Sequence, residues 1–246
     1  MTGAIDRVAP TRRPAGPARG YQRWLELLFA HWPVPRELLR PLVPAALELD
    51  DFEGTCYVGI VPFRMEGVRP AWAPEALAFS FLETNVRTYV HVAGRDPGVF
   101  FFSLDAASRI AVRTARLVWN LPYFHARMSA EHRGARCDYR MHRTERPAAA
   151  LDVSWERGEA LGPSLPGSFE HFLLERYLLY VERGGRLWSG QVHHAPYPAH
   201  RPEVGDIEQT LLSAAGLGSG HGAPPVVHCS PGVEVEIFDL VAVAGI

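Results

Sequence analysis

Runs dense in aromatic and β-branched residues, each closed off by glycine or proline, restrict this chain more than any other feature. Between Gly54 and Asp105 the segments GTCYVGIVPFRM, FSFLETNVRTYVHV and GVFFFSLD follow one another with turn residues between them. Such runs predict strands. In the longest, Phe79 to Val92, alternate side chains must point to opposite faces. The even positions carry Ser80, Leu82, Thr84, Val86, Thr88, Val90 and Val92. The odd positions carry Phe79, Phe81, Glu83, Asn85, Arg87, Tyr89 and His91, so one face holds an acid, an amide, a guanidinium, a phenol and an imidazole. That face is either the solvated side of an open sheet or the inner lining of a curved sheet or barrel. The aromatic neighbours favour the lining, because small-molecule sites are apolar enclosures with a few convergent polar groups. A third reading makes Glu83 and Arg87 a structural ion pair, although four residues of strand separate them by about 13 Å.

The rest of the chain reads as one domain. Residues 1–20 are polar, rich in Arg, Pro, Ala and Gly, and have little to bury, so they read as a disordered tail without the apolar stretch of a secretory leader. Tyr21, Trp24, Leu27 and Leu28 suggest a helix stopped by Pro33 and Pro35. Ala106 to Trp119 is the best helix pattern, with Ile110, Leu117 and Val118 as its apolar side and Arg109, Arg113 and Arg116 as its solvated side. Asp105 stands where it would cap that helix. YFHARMSA, DYRMHRT and LDVSWERG predict further strands, and SFEHFLLERYLLYV predicts a helix led by Ser168. RLWSGQVHHA, VVHCS and GVEVEIF predict the last strands, with a short helix near Asp206–Leu212, and residues 241–246 read as a tail.

Composition removes several chemistries. All 25 Lys+Arg residues are arginine. Arginine stays protonated and is a poor amine nucleophile, so no side chain here can form a Schiff base. A formal net charge of −2 gives no global attraction to nucleic acid or anionic membrane. No run of about 18 apolar residues is available to span a bilayer. Cys56, Cys137 and Cys229 are odd in number and far apart, which suits a reducing compartment. His193 and His194 are adjacent and would face opposite ways in a strand, and no H-x-x-x-H or H-E-x-x-H spacing selects metal ligands among the 11 histidines. No nucleophile elbow, phosphate loop or dinucleotide fingerprint is present; the glycines of GLGSGHG read as a flexible loop. No metal and no cofactor is therefore expected.

The run Glu83-Thr84-Asn85-Val86-Arg87-Thr88-Tyr89-Val90 resembles a signature of the YqjF-like bacterial family of unknown function. So do Val99 to Ala106, Leu121-Pro122-Tyr123-Phe124, Pro166 to Leu173, Val192-His193-His194 and the spacing of Gly54 to Met65. That family is similar to the acetoacetate decarboxylase-like superfamily. The resemblance implies an α+β, β-rich fold, a closed or cone-shaped antiparallel β-structure with peripheral helices, over residues 21–240. It also implies that Leu121-Pro122-Tyr123-Phe124-His125 takes the place of the segment carrying the decarboxylase's Schiff-base lysine. Glu83 would correspond to a glutamate of the decarboxylase pocket. With Tyr and Phe where lysines would stand, Schiff-base decarboxylation is out of reach, while a pocket for a small acid can survive.

The expected function is thus a small-molecule pocket acting on a small keto or hydroxy acid by lysine-independent enolisation, hydration or dehydration. The alternative is a binding or sensing protein without turnover. Glu83 and Tyr123 are the candidate catalytic groups; Arg87, Asn85, Tyr89 and His194 are the candidate ligand-binding groups, with Arg87 as a bidentate carboxylate anchor. The expected partner is a small carboxylate, with no nucleic acid and no membrane, in the cytoplasm, and self-association into a homo-oligomer stays open.

Overall fold

The computed structural model describes residues 5–224 and 226–244. Within them the chain runs β1 (Gly20–Val34), α1 (Arg36–Leu39), β2 (Glu48–Leu49), β3 (Cys56–Pro70), β4 (Phe79–Val92) and β5 (Arg95–Ala106). Then follow α2 (Arg109–Trp119), β6 (Tyr123–Arg133), β7 (Arg136–Arg143), β8 (Ala150–Gly162) and α3 (Phe169–Leu174). The last elements are β9 (Leu178–Arg183), β10 (Arg186–His193), β11 (Ala199–Gln209), α4 (Leu211–Ala214) and β12 (Val226–Ala242).

All strands join one hydrogen-bonded sheet in the order β10-β9-β5-β6-β7-β8-β11-β12-β1-β3-β4-β2. Two further pairings, β10 with β12 and β5 with β4, close it on itself twice. One circuit is β10-β9-β5-β4-β3-β1-β12; the other is β5-β6-β7-β8-β11-β12-β1-β3-β4. The strands β12, β1, β3, β4 and β5 belong to both and form a common wall. The ladder is antiparallel throughout except where β5 meets β6 and β9, both parallel. Closure leaves few free edges, which suits a chain this rich in strands that would otherwise offer unpaired backbone to a neighbour.

Strand alternation gives the wall two buried faces. Ala30, Trp32, Val58, Ile60, Val86 and Val90 pack with Tyr139, Met141, Leu151 and Val153 of β7 and β8. Leu27, Phe29, Val61, Phe63, Met65 and Tyr89 pack with Phe172, Leu173 and Leu174 of α3 and with Tyr177, Val192 and Tyr197. Burying one such side chain stabilises the fold by about 1.5–3 kcal/mol.

Several sequence expectations are corrected. The segment from Tyr21 is a strand, not a helix. Glu26 adopts a left-handed φ of 56°, and the pairing of β1 with β3 shifts register between Leu25 and Ala30. This bulge moves Trp24 onto the face of Leu27 and Phe29, which produces a three-residue apolar spacing inside a strand. Helix α2 begins at Arg109, capped by the Ser108 hydroxyl, which accepts from the Ala111 amide at 3.2 Å. Asp105 caps nothing; it lies in β5 and binds Arg143 through two hydrogen bonds of 2.6 and 2.7 Å. The buried side of α2 is Ala111, Val112 and Ala115, whereas Ile110 and Leu117 are 75% and 77% exposed. Small residues let the helix approach the sheet closely, and the larger ones are turned outward. Arg116 is not a free surface charge, because it donates to the Tyr123 carbonyl at 2.6 Å.

Ser168 does cap α3, accepting from the His171 amide, but the helix ends at Leu174 and Leu178–Arg183 continues as β9. The helix expected near Asp206 is the end of β11, with α4 following at Leu211. Residues 5–20 do not hang free. Arg7 pairs with buried Asp50 at 2.5 Å, Arg13 with Glu236 and Arg19 with Asp239 at 2.7 Å each, and Gln191 donates to the carbonyls of Pro10 and Arg12. Charge and backbone acceptors tie down a segment that has little apolar surface. Strand β12 takes in residues 241 and 242, so the folded part runs past the expected boundary at residue 240; residues 1–4 and 245–246 lie outside the described residues.

Candidate functional site

The odd face of β4 descends from an exposed rim into the interior lined by α3. Phe79 is exposed, Phe81 half-buried, and Glu83, Asn85, Arg87 and Tyr89 are buried. The register of β3 against β4 sets Phe63 opposite Glu83, Val61 opposite Asn85 and Gly59 opposite Arg87, so aromatic and aliphatic walls flank the polar groups.

Glu83 is 2% exposed. Leu104 of β5 lies beside Tyr123 of β6 in the parallel register, and this brings the Tyr123 hydroxyl to the Glu83 carboxyl, where it donates to Oε2 at 2.7 Å. Burial pushes the Glu83 carboxyl up to about 8; the Tyr123 hydrogen bond opposes this and the charge of Asp105 adds to it. Burial and the adjacent Glu83 push the Tyr123 phenol well above its ordinary value. At neutral pH the pair is therefore a neutral acid held by a neutral phenol.

Arg87 is 7% exposed. Its Nη2 donates to the Leu173 carbonyl of α3 at 3.2 Å, and its guanidinium lies 5.6 Å from the Phe29 ring centroid and 5.9 Å from that of Tyr89. Its Nε is buried without a partner, and among the described residues no carboxylate lies within 4.0 Å of it. Glu83 and Arg87 therefore form no ion pair. The other two deeply buried guanidiniums behave differently: Arg143 is bound to Asp105, and Arg176 lies 2.9 Å from Asp50.

Tyr89 donates to the same Leu173 carbonyl at 2.8 Å. With its single proton committed there, it accepts from His31 Nε2 at 2.8 Å. Burial, and then the positive charge of Arg87, hold His31 well below the ordinary imidazole range. Asn85 Oδ1 is buried with no donor among the described residues. His194 is 3% exposed, lies just past β10, and stacks on Tyr177 with ring centroids 4.3 Å apart. It is linked to Arg87 through a chain of rings: His194 to Tyr197 at 4.7 Å, Tyr197 to Phe29 at 5.2 Å, and Phe29 to the guanidinium. Burial lowers His194 to about 4.

Glu83 and Tyr123 are thus in direct contact, and Arg87 and Tyr89 converge on one carbonyl; Asn85 lies between these pairs and His194 across the interior. Sequence reasoning missed His31, Tyr177, Tyr197, the Leu173 carbonyl and Trp24, whose ring lies 5.6 Å from that of His194. Tyr197 sits three residues after His194 in a proline-rich stretch, which is a usable signal; the carbonyl leaves none. Among the described residues, no three His, Cys, Asp or Glu side chains gather in a way that could hold a metal ion, and no helix is long and apolar enough to cross a membrane.

Residues 21–234 match DUF2071, a family described as an uncharacterized conserved protein. The uncharacterized protein YqjF of Bacillus subtilis (strain 168) is 38% identical over 220 residues, 89% of this chain and 90% of that protein. Among solved structures, an acetoacetate decarboxylase-like enzyme from Sphingomonas wittichii RW1 superposes with a TM-score of 0.64 at 11% identity, covering 94% of this chain and 95% of that one. The enduracididine biosynthesis enzyme MppR complexed with pyruvate gives 0.61 at 12% identity, covering 94% and 93%. At these identities the structural likeness concerns the fold.

Proposed function

Because the chain belongs to the DUF2071 family and folds as acetoacetate decarboxylase-like enzymes do, we propose that it binds a small keto or hydroxy acid on the interior face of β4. The observation that carries this reading is the buried Arg87 guanidinium without a carboxylate. Desolvating a cation costs several kcal/mol unless an anion compensates it, and removing one partner of a buried pair is correspondingly unfavourable. A carboxylate ligand would supply the missing charge, with the planar fork of arginine suited to it. The pyruvate with which MppR is complexed belongs to the same chemical class.

Turnover would be lysine-independent. Glu83, neutral near pH 7 and hydrogen-bonded to Tyr123, can donate a hydrogen bond to a carbonyl or hydroxyl oxygen and so polarise it toward enolisation or dehydration. Asn85, Tyr89 and His194 would orient the ligand. Binding without turnover is the second reading; it is favoured by the extent to which Tyr89 and Tyr123 are already occupied by protein partners.

The test is Arg87→Met, which keeps the side chain's length and removes its charge. Stabilisation of the protein by pyruvate, acetoacetate and lactate should weaken by about 1.5–3 kcal/mol of ligand binding while the variant stays folded. A folded variant that binds these acids as tightly as the parent removes Arg87 as the anchor.

A further inference from the structure

We infer that the ligand is a hydroxy acid rather than an oxo or amino acid, because the interior that buries the Arg87 cation also buries an imidazole lone pair, His194 Nε2, that no donor among the described residues satisfies. The inference rests on the carboxylate reading above and narrows it.

His194 sets the polarity. Its Nδ1 lies 2.7 Å from the Ala195 carbonyl. A carbonyl oxygen can only accept, so Nδ1 carries the proton and Nε2 presents a bare lone pair. Nε2 is buried and has no donor among the described residues. Tyr177, nearly parallel at 17°, and Tyr197, at 53°, hold the plane of the ring, and a flip within that plane would break the Nδ1 bond to Ala195. The imidazole stays neutral, with its value lowered to about 4 by burial, so Nε2 does not supply its own proton at working pH. Asn85 Oδ1, on the same strand face as Arg87, is a second buried acceptor without a donor among the described residues.

Each ligand class meets this lining differently. An oxo acid brings its carboxylate to Arg87 but otherwise only another acceptor, which would leave the His194 lone pair unsatisfied. An amino acid brings N–H donors together with a second positive charge, buried beside a guanidinium that its single carboxylate must already neutralise. A hydroxy acid brings one anion and one neutral O–H donor. A site built to accept from a hydroxyl discriminates against analogues that lack it, because its own polar group is then left unpaired.

The experiment measures binding to the full chain within matched sets: lactate, pyruvate and alanine, and 3-hydroxybutyrate with acetoacetate. In each set the hydroxy acid should bind about tenfold more tightly than its oxo partner. His194→Phe, which keeps a flat ring on Tyr177 and deletes the acceptor, should bring that ratio close to one, and Arg87→Met should weaken every acid. If oxo acids bind as well as hydroxy acids, or alanine as well as lactate, and Arg87→Met still weakens them all, the hydroxyl assignment is wrong while the carboxylate pocket stands. If no acid binds in an Arg87-dependent way, the pocket itself is wrong and the hydroxyl assignment goes with it. Should His194→Phe fail to fold, the preference of the parent protein within each set decides alone.

Discussion

Glu83 keeps its proton far above the range of an exposed carboxyl because burial outweighs the help it receives from Tyr123. With a folded value of about 8 against an ordinary 4.5, the folded chain retains a proton that the unfolded chain has released across that window. The stabilisation from this group is complete below the unfolded value and declines as pH rises to the folded one, by at most about 1.4 kcal/mol per pH unit. Glu83→Gln keeps an oxygen for Tyr123 and removes the titration. Its melting temperature should therefore gain on that of the parent between about pH 5 and pH 8, and a gap that does not change with pH would mean that Glu83 is ionised when folded. At this scale the sequence was informative about orientation: period-two alternation put Glu83, Asn85, Arg87 and Tyr89 on one face. It carried no signal for their partners. Tyr123 meets Glu83 only because β6 lies parallel to β5, and Leu173 contributes a backbone carbonyl, which no side-chain pattern encodes.

Among the elements, β3, β4 and β5 were legible because their apolar and β-branched runs are uninterrupted. Strand β1 was not. The left-handed Glu26 changes which face each later residue takes, so Trp24, Leu27 and Leu28 mimic a helical stripe. Helix α2 misled in the opposite sense, since alanines rather than its large apolar residues make most of its contact with the sheet. The junction of β5 with β9 offers a test of the closure that surrounds the candidate site. A Cβ on Gly98 would come within 2.6 Å of the Leu178 carbonyl oxygen and 2.9 Å of Leu178 Cβ. Backbone cannot swing aside as a side-chain tip can, so Gly98→Ala should push β9 away and lower stability by about 1–3 kcal/mol. Denaturant unfolding measures this. An unchanged midpoint would show that the two strands do not approach so closely.

Over the whole molecule, the N-terminal segment is bound to the domain by charge. Arg7 shares Asp50 with Arg176 and lies 5.3 Å from the Phe172 ring centroid, within reach of the helix that offers its carbonyl to Arg87 and Tyr89. Deleting residues 1–18 removes these contacts and those of Pro10, Arg12 and Arg13, so the melting temperature should fall by several degrees, at about 2–4 °C per kcal/mol for a chain of this size. A fall of less than about one degree would mean that these ion pairs are solvated equivalents of no net value. The five-strand wall common to both circuits has a wider consequence. Each of its strands is read twice, once by each of the two packed interiors it separates. Substitutions at every second residue of β4 therefore fall on one interior alone, while the residues in between keep their packing in the other.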